Sequence, residues 1–141
     1  VYVHEKILHS LFLPKLLENI KHNIKIGDPF NKNYNMGALI SENHLEKVLQ
    51  YVKVGIENGG ELLIGGKKID CVDDSCKGGY YMEPTVLLVP SAEENNARVS
   101  GREAGNYHKK NPIIVDEIFG PVMTIIPFTD ESNVIKRYSL H

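Results

Sequence analysis

The sequence predicts an α/β fold, with helices laid against a sheet, and three observations point to it. An amphipathic helical pattern, "SENHLEKVLQYVKVGIENGG", runs directly into a short apolar segment, "ELLIGG". A second strand pattern, "YYMEPTVLLV", follows a polar excursion, and a third, "IIVDEIFGPVMTIIPF", comes later. With 141 residues and 42% hydrophobic content the chain is long enough for one domain with its own core and too short for two comfortable ones. No internal repeat or heptad register divides it.

Taken in order, Val1 to Val3 read as the end of a strand. A helix from about Glu5 to Asn23 follows, its apolar positions Leu8, Leu11, Phe12, Leu16, Ile20 and Ile24 recurring every three to four residues. Pro14 falls inside it, removes one backbone bond and costs about 3 kcal/mol in a helix interior, so a kink or a restart near Leu13 is expected. "IGDPFNKNYNMG" is a loop by composition. The next helix is the clearest element: Ser41 is its N-cap, Leu45, Val48, Leu49, Val52 and Ile56 line one face, and Gly59 and Gly60 end it. "KKIDCVDDSCKGG" is a polar excursion between strands. The segment "PSAEENNARVSGREAGNYHKKNP" has almost no apolar residues and reads as a mobile insertion over 91–112. A short helix, "DESNVIKRY", comes last.

Several chemistries are disfavoured. A formal charge of −2 and a pI near 6.3 supply no electrostatic argument for nucleic acid or an anionic membrane. The most apolar run, "ILHSLFLPKLL", falls short of the ~20 residues of a spanning helix. The six histidines show no metal-binding spacing, so no metal site is expected. "GIENGGELLIGG" has helix, glycines, strand, the reverse of a dinucleotide fingerprint. Cys71 and Cys76 sit among Asp70, Asp73 and Asp74, which disfavour a thiolate, and read as loop thiols, a disulfide being the alternative in an oxidising compartment. The chain offers no activated nucleophile. Beginning "VYVHEKIL", it reads like the interior of a larger protein.

The stretch "VDEIFGPV" raises a question of its own. If it is extended, Glu117 and Phe119 project from one face, a carboxylate beside an aromatic ring. That pair suits a ligand polar at one end and flat at the other, and equally suits an ordinary strand edge.

Together and in this order, "KIGDPFNKNYNMGALISENHLEKVLQYV", "GGYYMEPTV" and "DEIFGPVMTIIPF" resemble the aldehyde dehydrogenase superfamily, most closely its trimethylaminobutyraldehyde and betaine-aldehyde branch. The resemblance implies that residues 1–141 are part of a catalytic domain with three layers, helix, sheet and helix, in a cytoplasmic enzyme that oxidises an aldehyde with NAD or NADP and assembles as a homo-oligomer. It implies that Glu117 accepts hydrogen bonds from the nicotinamide-ribose hydroxyls and that Phe119 packs near the nicotinamide. Lys47, with His44 one turn earlier, resembles a position nearer the adenosine half, although solvated helix-face residues are the plainer reading for both. "VYVH" resembles the strand just after the family's catalytic cysteine, so nucleophile and Rossmann domain are expected outside these residues. Three departures stand against the pattern: a stretch before "DEIFGPV" longer by roughly fifteen to twenty residues, Pro14, and the closing "RYSLH". They suggest a fragment, a mis-spliced form or a degenerate copy. A non-catalytic interaction module that keeps the fold is the alternative function.

Overall fold

The computed structural model describes residues 1–70, 74–90 and 111–138. Its centre is a four-stranded sheet in the order β1-β6-β5-β2, formed by Tyr2–His4 (β1), Glu61–Ile64 (β2), Thr85–Leu88 (β5) and Val122–Phe128 (β6). The central strand β6 runs parallel to β1, with Tyr2 opposite Ile126, and parallel to β5, with Thr85 opposite Val122. Strand β2 closes the edge antiparallel to β5, its register shifting between Leu62 and Ile64.

Alternation along the strands separates two cores. Val3, Val86 and Ile125 turn to one face and pack with Leu8 and Leu13, while Leu87, Val89 and Ile126 turn to the other and meet Val52 and Ile113. Both faces are covered, which is why "TVLLV" is a continuous apolar run rather than an alternating one. The result is the expected three layers: helices α1 (Glu5–Ile7) and α2 (Leu13–Asn23) on one side, α3 (Glu42–Glu57) and the short α4 (Pro112–Val115) on the other. Helix α5, Glu131–Tyr138, follows β6.

Pro14 acts as expected. Leu8–Phe12 form a π-helical turn in which the Leu13 N–H bonds the Leu8 carbonyl, and α2 restarts at Leu13. Pro14 then lies in the first turn of α2, where a missing N–H costs nothing.

Three expectations need correcting. "IIVDEIFGPV" is not a strand: Pro112–Val115 form α4, with the Asn111 side chain accepting from Ile113 N at 3.4 Å, and β6 begins only at Val122. Proline at the first helical position and an Asn cap override the strand preference of Ile-Ile-Val. Asn111, 2% exposed, and Pro112, which opens α4, are thus part of ordered structure at the end of the expected segment 91–112, while 91–110 lies outside the described residues. "YYMEPTVLLV" is also two strands: Tyr81–Met82 (β4) pairs antiparallel with Lys68–Ile69 (β3) from the supposed polar excursion, and Pro84 separates it from β5. Finally, Cys76 is buried, in a 3-10 turn from Asp74 to Cys76, where a thiol is inert; Cys71 lies outside the described residues.

Buried Thr85 anchors the start of β5. Its hydroxyl accepts from Gly66 N at 2.8 Å and donates to the Glu83 carbonyl at 2.9 Å. The Gly65-Gly66 turn that feeds it has φ of +79° and +85°, and a side chain at Gly65 would run into the Pro84 carbonyl, so glycine is required there.

Candidate functional site

Helix α3 and the loop 116–121 meet on one side of the sheet. Ser41 caps the helix, its hydroxyl accepting from His44 N at 3.2 Å, and Leu45, Val48 and Val52 bury its inner face. The neighbouring stripe of His44, Lys47 and Tyr51, spaced three and four residues apart, runs along the helix beside the loop.

The loop is held from below by apolar contacts and strand bonds. Ile118 packs against the cores that contain Val52 and Val48. Gly120 lies so close to Val48 that an added Cβ would stand 2.8 Å from Val48 Cγ1. The Pro121 carbonyl accepts from Thr85 N at 2.8 Å, tying the loop's end to β5.

It is held from the side by two polar bonds. His44 Nε2 lies 2.7 Å from the Phe119 carbonyl; because a carbonyl only accepts, Nε2 carries the proton. The Tyr51 hydroxyl donates to Asp116 Oδ2 at 2.9 Å. This hydrogen bond, followed by desolvation and the charge of Asp116, holds the Tyr51 phenol above its ordinary pKa. Lys47 Nζ sits 5.9 Å from the Tyr51 ring centroid, within cation–π range.

Between these anchors stand Glu117 and Phe119, both exposed, with Ile118 turned inward. Outward projection of the pair was expected from an extended backbone, but the loop achieves it differently. Phe119 has φ +55°, in the left-handed region where a bulky residue is an outlier. Phe119 is 72% exposed, so its ring gains little packing in return for that strain. Among the described residues the Glu117 carboxylate makes no hydrogen bond or ion pair. Backbone strain of this kind clusters at functional sites. The pair also fits a dinucleotide's nicotinamide riboside in its chemistry, with acceptor oxygens for vicinal hydroxyls and an aromatic face for a flat ring.

Of the residues read from sequence as a site, Glu117 and Phe119 come together on this loop, and Lys47 lies on the helix stripe beside it. His44 is not a solvated helix-face residue: it is half-buried and bonded to the loop. The Tyr51–Asp116 bond was missed. The signal for it was the stripe itself, since Tyr51 falls seven residues after His44 on the same helix face. Among the described residues no group of three His, Cys, Asp or Glu could hold a metal ion, and no helix is long and apolar enough to cross a membrane.

Comparison with known proteins gives a consistent answer. The model of the aldehyde dehydrogenase family matches residues 1–99. The 4-trimethylaminobutyraldehyde dehydrogenase of Oryzias latipes is 37% identical over 137 residues, spanning 97% of this chain and 23% of that protein. The betaine aldehyde dehydrogenase of Bacillus subtilis is 33% identical over 132 residues, covering 94% of this chain and 23% of its own. Among solved structures, a double mutant of the Staphylococcus aureus betaine aldehyde dehydrogenase in complex with NAD+ superposes with a TM-score of 0.72 at 29% identity, over 96% of this chain and 23% of that one. The chain thus spans about a quarter of the length of the relatives it matches.

Proposed function

Because the chain belongs to the aldehyde dehydrogenase family, we propose that its loop 116–120 forms the nicotinamide-ribose side of the dinucleotide site in an NAD(P)-dependent enzyme that oxidises an aldehyde to a carboxylic acid. The observation that carries this reading is the exposed Glu117 carboxylate, unpaired among the described residues, two positions before a strained, exposed Phe119. Glu117 accepts from the two ribose hydroxyls, and an ionised carboxylate has an oxygen for each. Phe119 flanks the nicotinamide ring, and Lys47 contacts the cofactor nearer its adenosine half. The dinucleotide, when bound, supplies a hydride acceptor. The chain's own residues supply orientation, which sets how often the acceptor stands at reactive distance. The 141 residues form part of a catalytic domain. They offer no activated nucleophile, so they turn over no aldehyde by themselves. In the complete subunit the partners are an aldehyde and a dinucleotide, in a cytoplasmic homo-oligomer.

Glu117→Gln in the complete enzyme tests the reading. The amide offers one acceptor oxygen instead of two and loses the charge that strengthens both bonds. Hydride transfer should slow by about ten- to a hundredfold, or about 1.4 to 3 kcal/mol of transition-state stabilisation, with dinucleotide binding weakened less. Stopped-flow NADH formation from a deuterated aldehyde reads this directly. An unchanged hydride rate would reduce "VDEIFGPV" to a loop before a strand.

A further inference from the structure

We infer that His44 and Tyr51 are positioning residues, a two-point clamp reaching from helix α3 to the two ends of the segment that carries Glu117 and Phe119. One jaw is the His44 Nε2 bond to the Phe119 carbonyl at 2.7 Å, and the other is the Tyr51 hydroxyl bond to Asp116 Oδ2 at 2.9 Å. The two bonds bracket Glu117. Each grips an atom whose position depends on the loop's backbone: the carbonyl of the residue with φ +55°, and the side chain of the residue that ends α4.

Strain makes the clamp necessary. A phenylalanine leaves the left-handed region unless its surroundings over-determine it. Phe119 is 72% exposed, so its own ring does not hold it there. What does hold it is Ile118 in the core, Gly120 pressed on Val48, and the imidazole on its carbonyl. Only the last is directional at Phe119 itself. Because Tyr51 and His44 share one rigid helix, they also fix the distance between the loop's two ends. A shift of α3 along its axis would move both anchors together, and with them the carboxylate and the ring.

The role assigned to these residues rests on the ribose-binding reading of Glu117, and the experiment separates the two. The 141-residue chain is studied by NMR as wild type, His44→Leu, His44→Gln and Tyr51→Phe, with nicotinamide mononucleotide as the probe. In the wild type Nε2 of the imidazole should carry a proton, since the carbonyl only accepts. His44→Leu should move the Phe119 three-bond coupling away from its left-handed value and speed amide exchange at Ile118, Phe119 and Gly120 by about tenfold or more. Tyr51→Phe, which removes only an exposed hydroxyl, should do the same at Glu117 and Ile118 with only a small change in melting temperature. Both should weaken the response of the loop to nicotinamide mononucleotide, and His44→Gln, which keeps a donor on a side chain of similar reach, should restore it. Restoration by Gln is a readout that loss of packing alone would not give. A loop that keeps its coupling and exchange rates in both His44→Leu and Tyr51→Phe overturns the clamp. If the clamp variants loosen the loop but Glu117→Gln in the complete enzyme leaves hydride transfer unchanged, the clamp stands and the ribose reading of Glu117 is overturned instead.

Discussion

The two helical layers grip the sheet in different ways. On the α2 side the contact is apolar throughout: Leu8 and Leu13 are buried against Val3, Val86 and Ile125, with Phe12, Leu16, Leu17 and Ile20 packed around them. On the α3 side Leu45, Val48 and Val52 are also buried, yet the helix reaches outward through His44 and Tyr51 to the loop that leads into β6. Among the described residues each side also carries a backbone irregularity. The π-helical turn before Pro14 ends in buried Leu13 and serves only to resume a helix, whereas the left-handed Phe119 is exposed. The difference teaches that apolar burial, which has no direction, is enough to assemble the layers. Directional bonds appear where a particular side chain must be held in solvent.

The comparison breaks most readily in the core. Leu87 and Ile125 are both 0% exposed, one on each face of the sheet. Leu87→Ala and Ile125→Ala should each cost about 2–5 kcal/mol, because each removes buried methyl groups and leaves a cavity that close-packed neighbours fill only in part. Urea denaturation followed by circular dichroism measures both. If either substitution cost less than about 1 kcal/mol, that face would not be core, and the symmetry of the two layers would be lost.

What was legible in the sequence follows the same division. The layers could be read because burial imposes periodicity: the helix from Ser41, the restart at Leu13 and the continuous run "TVLLV" all announce themselves through the spacing of apolar residues or the covalent limits of proline. The local exceptions could not. "IIV" has strand composition, and its single helical turn depends on Asn111 and Pro112, whose influence reaches only a few residues. The pairing of Lys68–Ile69 with Tyr81–Met82 is a long-range choice that a two-residue pattern cannot encode. Glu117 and Phe119 were proposed through resemblance and an argument from extended backbone; both are exposed, but Phe119 is left-handed and not extended. A left-handed Phe has no sequence signature, since glycine and asparagine are the residues expected there.

That left-handed residue gives a smaller test. Phe119→Gly removes the steric cost of φ +55° and loses little packing from a ring that is 72% exposed. The gain, of order 1 kcal/mol, is partly offset by the greater freedom of glycine in the unfolded chain. The melting temperature should therefore hold or rise by a few degrees, while the loop loses the ring proposed to flank the nicotinamide. A clear drop in melting temperature would mean that Phe119 contributes to packing after all, and the contrast between a packed side and a presented loop would weaken.

The smallest effect is also the most specific to the polar side. Tyr51 donates to Asp116 Oδ2, and that bond, then desolvation, then the carboxylate's charge, all favour the neutral phenol and raise its pKa above the ordinary value of about 10. The stability this bond contributes is fully present below the unfolded pKa of about 10, and it is lost as pH rises through the higher folded value, because a tyrosinate cannot donate and would face a second negative charge. Solvent exposure keeps the loss small in global stability, so a local probe is needed. With ¹³C at the phenol carbon, Tyr51 should titrate above the ordinary tyrosine value of about 10, and the Glu117 and Ile118 amides should shift along with it as the clamp opens. In Asp116→Asn the amide oxygen still accepts from the neutral phenol, but the charge is gone and the NH₂ group can turn to meet a tyrosinate. The Tyr51 titration should then fall back toward the ordinary value, and the loop amides should no longer follow it. A Tyr51 that titrates at the ordinary value of about 10 in the unsubstituted chain would show that the bond to Asp116 does not persist in solution, leaving the His44 bond to hold the loop alone.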